Sequence, residues 1–403
     1  MQRYVERNGD TAPRKKHRHD DKLMFGIGYK EWMPMNPNED ILKPEERVTL
    51  SLRRMYERHG YQKYRMGKFE EYELYLENKN FLGAKSIITF NDADGRLLAL
   101  KPDVTLSIAK NTHATRASSE KFYYLENVYR QDRHSGAYQE ISQLGLEYIG
   151  ALTDYAVGEV LTLATRTLRE ISPACKLQLS HAGFVQSLLD SLTVDERARR
   201  ALTDLIRQKN LDDLGERALS VGVAPAAVSL LTAACQLSGP LQDALTRARA
   251  VAITPGMTEA LLKLDRMCAA LEAAGCLEGV TLDFSLMNDL DYYSDIVFRG
   301  YVEGLPRAVL AGGCYSSLLK KFGRDVEAVG FAVYLNELTF LYEGERPRDV
   351  DLLLLYSEKD DPAAVVNKVE ELIGRGLTVR AETTPPNALR YGRAISLTEA
   401  VSC

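Results

Sequence analysis

Two runs limit the fold most: KFYYLENVYR (121–130) and, after it, QEISQLGLEYIG (139–150). Both read as strands. Strand side chains alternate with a period of two, so Gln143, Gly145 and Glu147 share one face, with Ile141 as an apolar wall beside them. A glycine between two polar groups leaves a gap that a small molecule can occupy. Upstream, SIITF and RLLAL flank a loop ending in Asp94-Gly95, a hairpin signal. Together these runs predict an antiparallel sheet.

KPEERVTLSLRRMYERHG predicts a helix before that sheet, with Pro44 near its start, Glu45 and Glu46 in its first turn and Gly60 just past its end. From about 152 to 280 the chain turns Ala- and Leu-rich with helical spacing, as in YAVGEVLTLATRTLREI, AGFVQSLLDSL, DERARRALTDLIRQKN and TEALLKLDRMCAALEAAG. Strand signals return in VTLDFSL, YYSDIVFRGYV and RAVLAGGCYSSLL, and AVGFAVYLNELTFLY reads as a strand turning into a helix. RDVDLLLLYS, PAAVVNKVEELIGRG and LTVRAE then read as a small β-α-β unit. The expected organisation is an N-terminal extension over 1–38, a core over 39–345 with a helical insertion at about 176–280, and a small C-terminal α/β domain over 346–403. The extension carries the basic cluster RKKHRH at Arg14 to His19. It reads as a solvated tail, with a phosphate-binding arm or a metal-binding His17/His19 pair as alternatives.

Composition excludes some function classes. A length of 403 residues suggests two or three domains. The formal net charge of -5 gives no overall attraction to nucleic acid, although a local basic patch can still hold phosphate. No apolar run approaches a membrane span, and the N-terminus shows no secretory h-region. Cys175, Cys235, Cys268, Cys276, Cys314 and Cys403 form no C-x-x-C pair and read as reduced thiols of a cytoplasmic protein. P-loop, G-x-S-x-G and H-E-x-x-H signatures are missing, and Gly26 to Gly28 follows no strand. The histidines lie in the tail (His17, His19) or singly (His59, His113, His134, His181), which fits surface or satisfied core positions. No metal or cofactor is expected.

Polar residues do stand out in the strand-rich segments. LKPDVT puts Asp103 and Thr105 two apart, on one side if the backbone is extended, and QLGLE does the same for Gln143 and Glu147. LDYYSDIVF supplies adjacent tyrosines, one for each face, and GGCYS supplies Tyr315. An acid, a hydroxyl and an amide together can hold an ammonium group, and a second acid with a phenol can hold an imidazole N–H. Edge polar groups making sheet hydrogen bonds use the same residue types, so spacing alone leaves both readings open.

LLALKPDVT, VYRQDRHSGAYQEISQLGLEYIG, LDYYSDIVF, AGGCYSSLL and AVGFAVYLNEL fall in the order and rough spacing of the histidyl-tRNA synthetase core, over about residues 40 to 345. The chain resembles that family. Through LKPDVT and RQKNLDDL it more closely resembles the synthetase-like paralogues that serve as regulatory subunits of ATP phosphoribosyltransferase. The resemblance implies a class II synthetase fold of the α+β class, an antiparallel sheet flanked by helices, dimeric through its motif 1 region. By position it implies a histidine pocket: Asp103, Thr105 and Gln143 on the amine, Glu147 and Tyr293 on the imidazole, and Tyr315 as a further contact.

The family's adenylation residues carry over less well. Arg130 falls on the motif 2 arginine that binds the α-phosphate. The motif 3 arginine aligns with Glu337, the arginine before Gly-Leu-Asp-Tyr-Tyr with Asn288, and that of Gly-Gly-Arg-Tyr-Asp with Cys314. Adenylate formation depends on preorganised positive charge. Glu337 would oppose a triphosphate by roughly 4 kcal/mol per charge pair at about 4 Å and an effective dielectric near 20. GGCYSS also departs from the Gly-Gly-Arg-Tyr-Asp usual in the paralogue, which bears on the pocket's edge and on histidine affinity. The implied function is a non-catalytic subunit with L-histidine as effector, paired with a short-form ATP phosphoribosyltransferase catalytic subunit; tRNA is not expected as a partner. An active histidyl-tRNA synthetase and a free-standing amino-acid-binding module are the alternatives.

Overall fold

The computed structural model describes residues 42–78, 87–131, 135–286, 293–342 and 348–398. The basic tail, His134, Asn288 and Cys403 lie outside them. The chain divides into two units at Lys43 and Pro44, and the elements that follow all belong to the second.

α1 (Pro44–Arg58) has Glu45 and Glu46 in its first turn, where carboxylates complement the helix dipole. It leads through β1 (Gln62–Lys63), β2 (Phe69–Glu71) and α2 (Tyr72–Glu77) to the expected hairpin of β3 (Thr89–Asn91) and β4 (Leu97–Leu100). The segment after it departs from the extended backbone predicted for LKPDVT. Val104 is already helical, and α3 (Thr105–Asn111) starts at the next residue. The reason is local: the Asp103 carboxylate accepts the Leu106 N–H at 2.9 Å, which satisfies one of the helix's otherwise unpaired first-turn donors.

β5 (Glu120–Gln131) and β6 (Tyr138–Gly150) then pair antiparallel over their whole length. α4 (Asp154–Ile171) begins at Thr153, whose hydroxyl accepts the Ala156 N–H at 3.2 Å, and it is buried along most of its length. Next come β7 (Cys175–His181), α5 (Ala182–Asp190), α6 (Glu196–Arg207), α7 (Leu211–Ser220), α8 (Pro225–Cys235), β8 (Ser238–Pro240), α9 (Leu241–Arg249) and α10 (Pro255–Ala273). β9 (Val280–Asp283), β10 (Ile296–Val302), β11 (Leu310–Tyr315), α11 (Ser317–Lys321), β12 (Glu327–Tyr334) and α12 (Leu335–Tyr342) complete this part. β7 corrects the expectation that the stretch from about 176 is helical. It is an inner strand between β10 and β9, with Leu177 and Leu179 buried in one core while Lys176 and Gln178 face the other way.

Among the described residues the main sheet has nine strands in the order β1-β5-β6-β12-β11-β10-β7-β9-β8. Only the β1–β5 and β7–β9 pairs are parallel, so the antiparallel α+β architecture is as expected. One set of alternate side chains (Leu144 and Leu146, Leu310 and Cys314, Phe331 and Val333) enters a large apolar core with α4 and α10. The other set packs in part against α3 and α11 in a second core, then opens into a cavity.

β13 (Val350–Leu355), α13 (Pro362–Gly374), β14 (Val379–Glu382) and β15 (Tyr391–Ser396) form a small parallel sheet with the order β14-β13-β15 and a core that includes Leu354, Leu372 and Ile395. β15 had no clear sequence signal, because Ile395 is its one fully buried residue. No helix among the described residues is long and apolar enough to cross a membrane.

Candidate functional site

The cavity on the second face of the sheet has a volume of about 640 Å³. Asp103, Thr105, Arg130, Gln143, Glu147, Tyr293 and Tyr315 all lie on its wall, so the polar residues assigned to the histidine pocket, and Arg130 with them, are brought to one place. Register explains the convergence. Glu147 pairs with Gly330, Gly145 with Ala332 and Gln143 with Tyr334 across β6 and β12, and alternation turns all of these to the cavity side.

Glu147 is the centre of the site. It is 3% exposed, and its two carboxyl oxygens accept from the Thr105 hydroxyl and the Tyr315 phenol, each at 3.0 Å. Burial raises its pKa to about 8; the two hydroxyl donors act the other way, and the charge of Asp103 adds to the rise. Such a group holds its proton at neutral pH until a ligand offers an N–H or a cation. Gly330 makes the arrangement possible, since a Cβ there would overlap the Glu147 carboxyl. Gly330→Ala is therefore expected to dislodge Glu147 from Tyr315 and to lower ligand affinity at least about tenfold, the loss of one charge-assisted bond, as read by calorimetry on protein with an unchanged circular dichroism spectrum.

The gap expected over Gly145 is filled. The ring of Tyr124, its partner on β5, lies across it, and a Cβ at Gly145 would overlap the phenol. The glycine thus makes room for a neighbouring side chain, and Tyr124 itself lines the cavity together with Glu147 and Tyr293. Ile141 packs against the second core and is not part of the cavity wall.

The polar groups are also wired differently from the simplest assignment. The Thr105 hydroxyl donates to Glu147. Asp103, besides capping α3, has its other oxygen 3.6 Å from the Arg130 guanidinium. Arg130 Nε donates to the Pro102 carbonyl at 2.7 Å, so this arginine is held at the head of α3.

Cys314 requires a correction. On β11 its side chain enters the large core on the opposite face, whereas Ala311 and Tyr315 line the cavity. Neither Cys314 nor Ser316 is among the residues that line the cavity; burial pushes the Cys314 thiol up. Glu337 sits in the first turn of α12, with a carboxyl oxygen 4.0 Å from Arg307. His181 is a satisfied core histidine, as expected: Nε2 lies 2.8 Å from Asp295 and Nδ1 accepts the Gly183 N–H at 3.1 Å.

Tyr124, Arg207, Arg299 and Tyr334 also line the cavity and were not foreseen. Arg299 carried a signal, as the one charge within the apolar strand IVFRGYV. Arg207 carried none, because it arrives from the end of α6, in the helical stretch.

A family model for histidyl-tRNA synthetase matches residues 37–338. The chain belongs to the histidyl-tRNA synthetase family. Within that family, the ATP phosphoribosyltransferase regulatory subunit of Oceanobacillus iheyensis is 26% identical over 324 residues, 79% of each chain. The ATP phosphoribosyltransferase regulatory subunit of Bacillus cereus is 27% identical over 343 residues, 81% of each chain. A solved structure described as an ATP phosphoribosyltransferase regulatory subunit/histidyl-tRNA synthetase from Bacillus halodurans superposes with a TM-score of 0.69 at 25% identity, covering 88% of this chain and 93% of that one. The histidyl-tRNA synthetase-like class II fold read from the sequence is the fold of this chain.

Proposed function

We propose that this chain is the histidine-sensing, non-catalytic regulatory subunit of ATP phosphoribosyltransferase, the enzyme that joins ATP to phosphoribosyl pyrophosphate in the first step of histidine biosynthesis. The observation that carries the reading is Glu147: a buried carboxyl, flanked by Thr105 and Tyr315, in a cavity that also holds Asp103, Gln143 and Tyr293. The imidazole of L-histidine meets Glu147 and Tyr293, and its ammonium group meets Asp103 and Gln143. Thr105 and Tyr315 hold the Glu147 carboxylate in place for the imidazole N–H.

Two further facts support regulation over aminoacylation. The two curated relatives described above, which match over about four fifths of the chain, are named as regulatory subunits. By the sequence resemblance an acid, Glu337, takes the position of the synthetase motif 3 arginine, and Arg130 lies against Asp103 and Pro102. Adenylation needs cations preorganised on the transferring phosphate, and of the arginines the family places there the resemblance leaves this chain Arg130 alone. The chain acts by pairing with a short-form catalytic subunit, and histidine shifts that complex through its different affinity for two arrangements. Self-association as a dimer is part of the same reading.

The purified chain, free of host synthetase, is expected to show no histidine-dependent exchange of pyrophosphate into ATP while binding histidine in a calorimeter. Robust exchange would make it a synthetase. Absence of histidine binding, alone and with the catalytic subunit, would remove the sensing role.

A further inference from the structure

We infer that Arg299, with Arg207 beside it, forms an anion site that receives the α-carboxylate of the amino acid bound at Glu147. The inference rests on the histidine reading and completes it. An amino acid brings a carboxylate as well as an ammonium group, yet Asp103, Thr105, Gln143, Glu147, Tyr293 and Tyr315 include no cation. Among the described residues the cavity is lined by three arginines, Arg130, Arg207 and Arg299. Arg130 lies against Asp103 and Pro102, on the side expected to take the ammonium group, whereas Arg207, 3.3 Å from Asp204, and Arg299 approach from the other side of the cavity.

Arg299 lies on β10 opposite Ala311 of β11, on the face that carries the cavity. Burial pushes the Tyr293 and Tyr334 phenols up, and the charge of Arg299 acts on both in the opposite direction, which places it within electrostatic reach of the imidazole side of the site. Arg207 is the last residue of α6, and a built anchor holds that helix end. Lys209 adopts a φ of 55°, a left-handed conformation uncommon outside glycine, and its ammonium pairs with Asp283. Asp283 is 2% exposed and also accepts from Gln178 Nε2 at 2.9 Å, from Ser285 N at 2.9 Å and from Ser285 Oγ at 2.6 Å. The end of α6 is thereby fixed to the end of β9.

A second cavity of about 750 Å³ adjoins the first, and Arg207, Ser285, Leu286 and Arg299 line both. It adds Lys176, Glu303 and the Lys209–Asp283 pair. The two arginines thus stand together on the wall that the first cavity shares with the second. Guanidinium groups bind carboxylates through paired N–H donors, which gives such a site direction as well as charge.

Calorimetry with the full-length chain separates this site from the rest of the pocket, using histidine and histamine, which keeps the imidazole and amine but lacks the carboxylate. Wild type is expected to bind histidine about 10- to 100-fold more tightly than histamine. Arg299→Gln should lose that advantage by weakening histidine alone, with Arg207→Gln in the same direction and Arg299→Lys retaining part of it. Unchanged histidine affinity in Arg299→Gln, or an equal loss for both ligands, overturns the carboxylate site while leaving histidine binding intact. Failure of wild type to bind either ligand overturns the histidine reading itself, and this inference with it.

Discussion

Glu147→Ala is expected to weaken histidine binding about 10- to 100-fold, the cost of removing one charge-assisted hydrogen bond from a buried site. The same residue sets a pH profile. Below the pKa of free imidazole, about 6.5, histidine arrives protonated at a Glu147 that is also protonated, and binding must release a proton. Above about 8 Glu147 is ionised and histidine carries a neutral imidazole, which keeps one N–H, so the ion-paired form of the complex, imidazolium on carboxylate, forms only with uptake of a proton. Affinity is therefore highest between these limits and falls on both flanks. Glu147→Gln cannot ionise, so it should keep the acidic flank and lose the alkaline one. Calorimetric titrations across this range, with both proteins, check the shape; an alkaline flank that survives in Glu147→Gln would assign it to another group.

Assembly and activation should not depend on the pocket. Gln143 and Glu147 are 4% and 3% exposed, so neither side chain can contribute to a surface that docks a partner. Chains carrying Gln143→Ala or Glu147→Ala are expected to co-purify with the catalytic subunit and to raise its activity, in the absence of histidine, as much as wild type does. Linkage adds a quantitative demand. Whatever factor histidine applies to partner affinity, the partner must apply to histidine affinity. Measuring histidine binding to the free subunit and to the complex tests that equality. A folded variant that assembles but fails to activate would place the pocket inside the activating interface.

How much of this was legible in the sequence depended on whether the signal was local. β6 declared its faces through alternation, and Gln143 and Glu147 were found where that alternation put them. Gly145 was read as a gap for a small molecule, but Tyr124 fills it, and that occupant comes from the paired strand and depends on register. LKPDVT was misread as extended because the capping bond from Leu106 to Asp103 favours a helix that the spacing of Asp103 and Thr105 does not reveal. Both side chains still reach the cavity, one from the approach to α3 and one from its first residue. β7 was lost among helical neighbours whose composition dominated the window. Arg207 could not be found at all, since its place follows from the Lys209–Asp283 anchor between distant segments.

The most direct test is phosphoribosyl-ATP formation by the catalytic subunit, reconstituted with wild-type or Glu147→Ala chain, at rising histidine. The wild-type chain should activate, and histidine should then inhibit. The Glu147→Ala chain should activate equally and need about 10- to 100-fold more histidine for the same inhibition. Identical inhibition curves for the two would contradict the account, because the sensor would then lie on the catalytic subunit and not over Glu147.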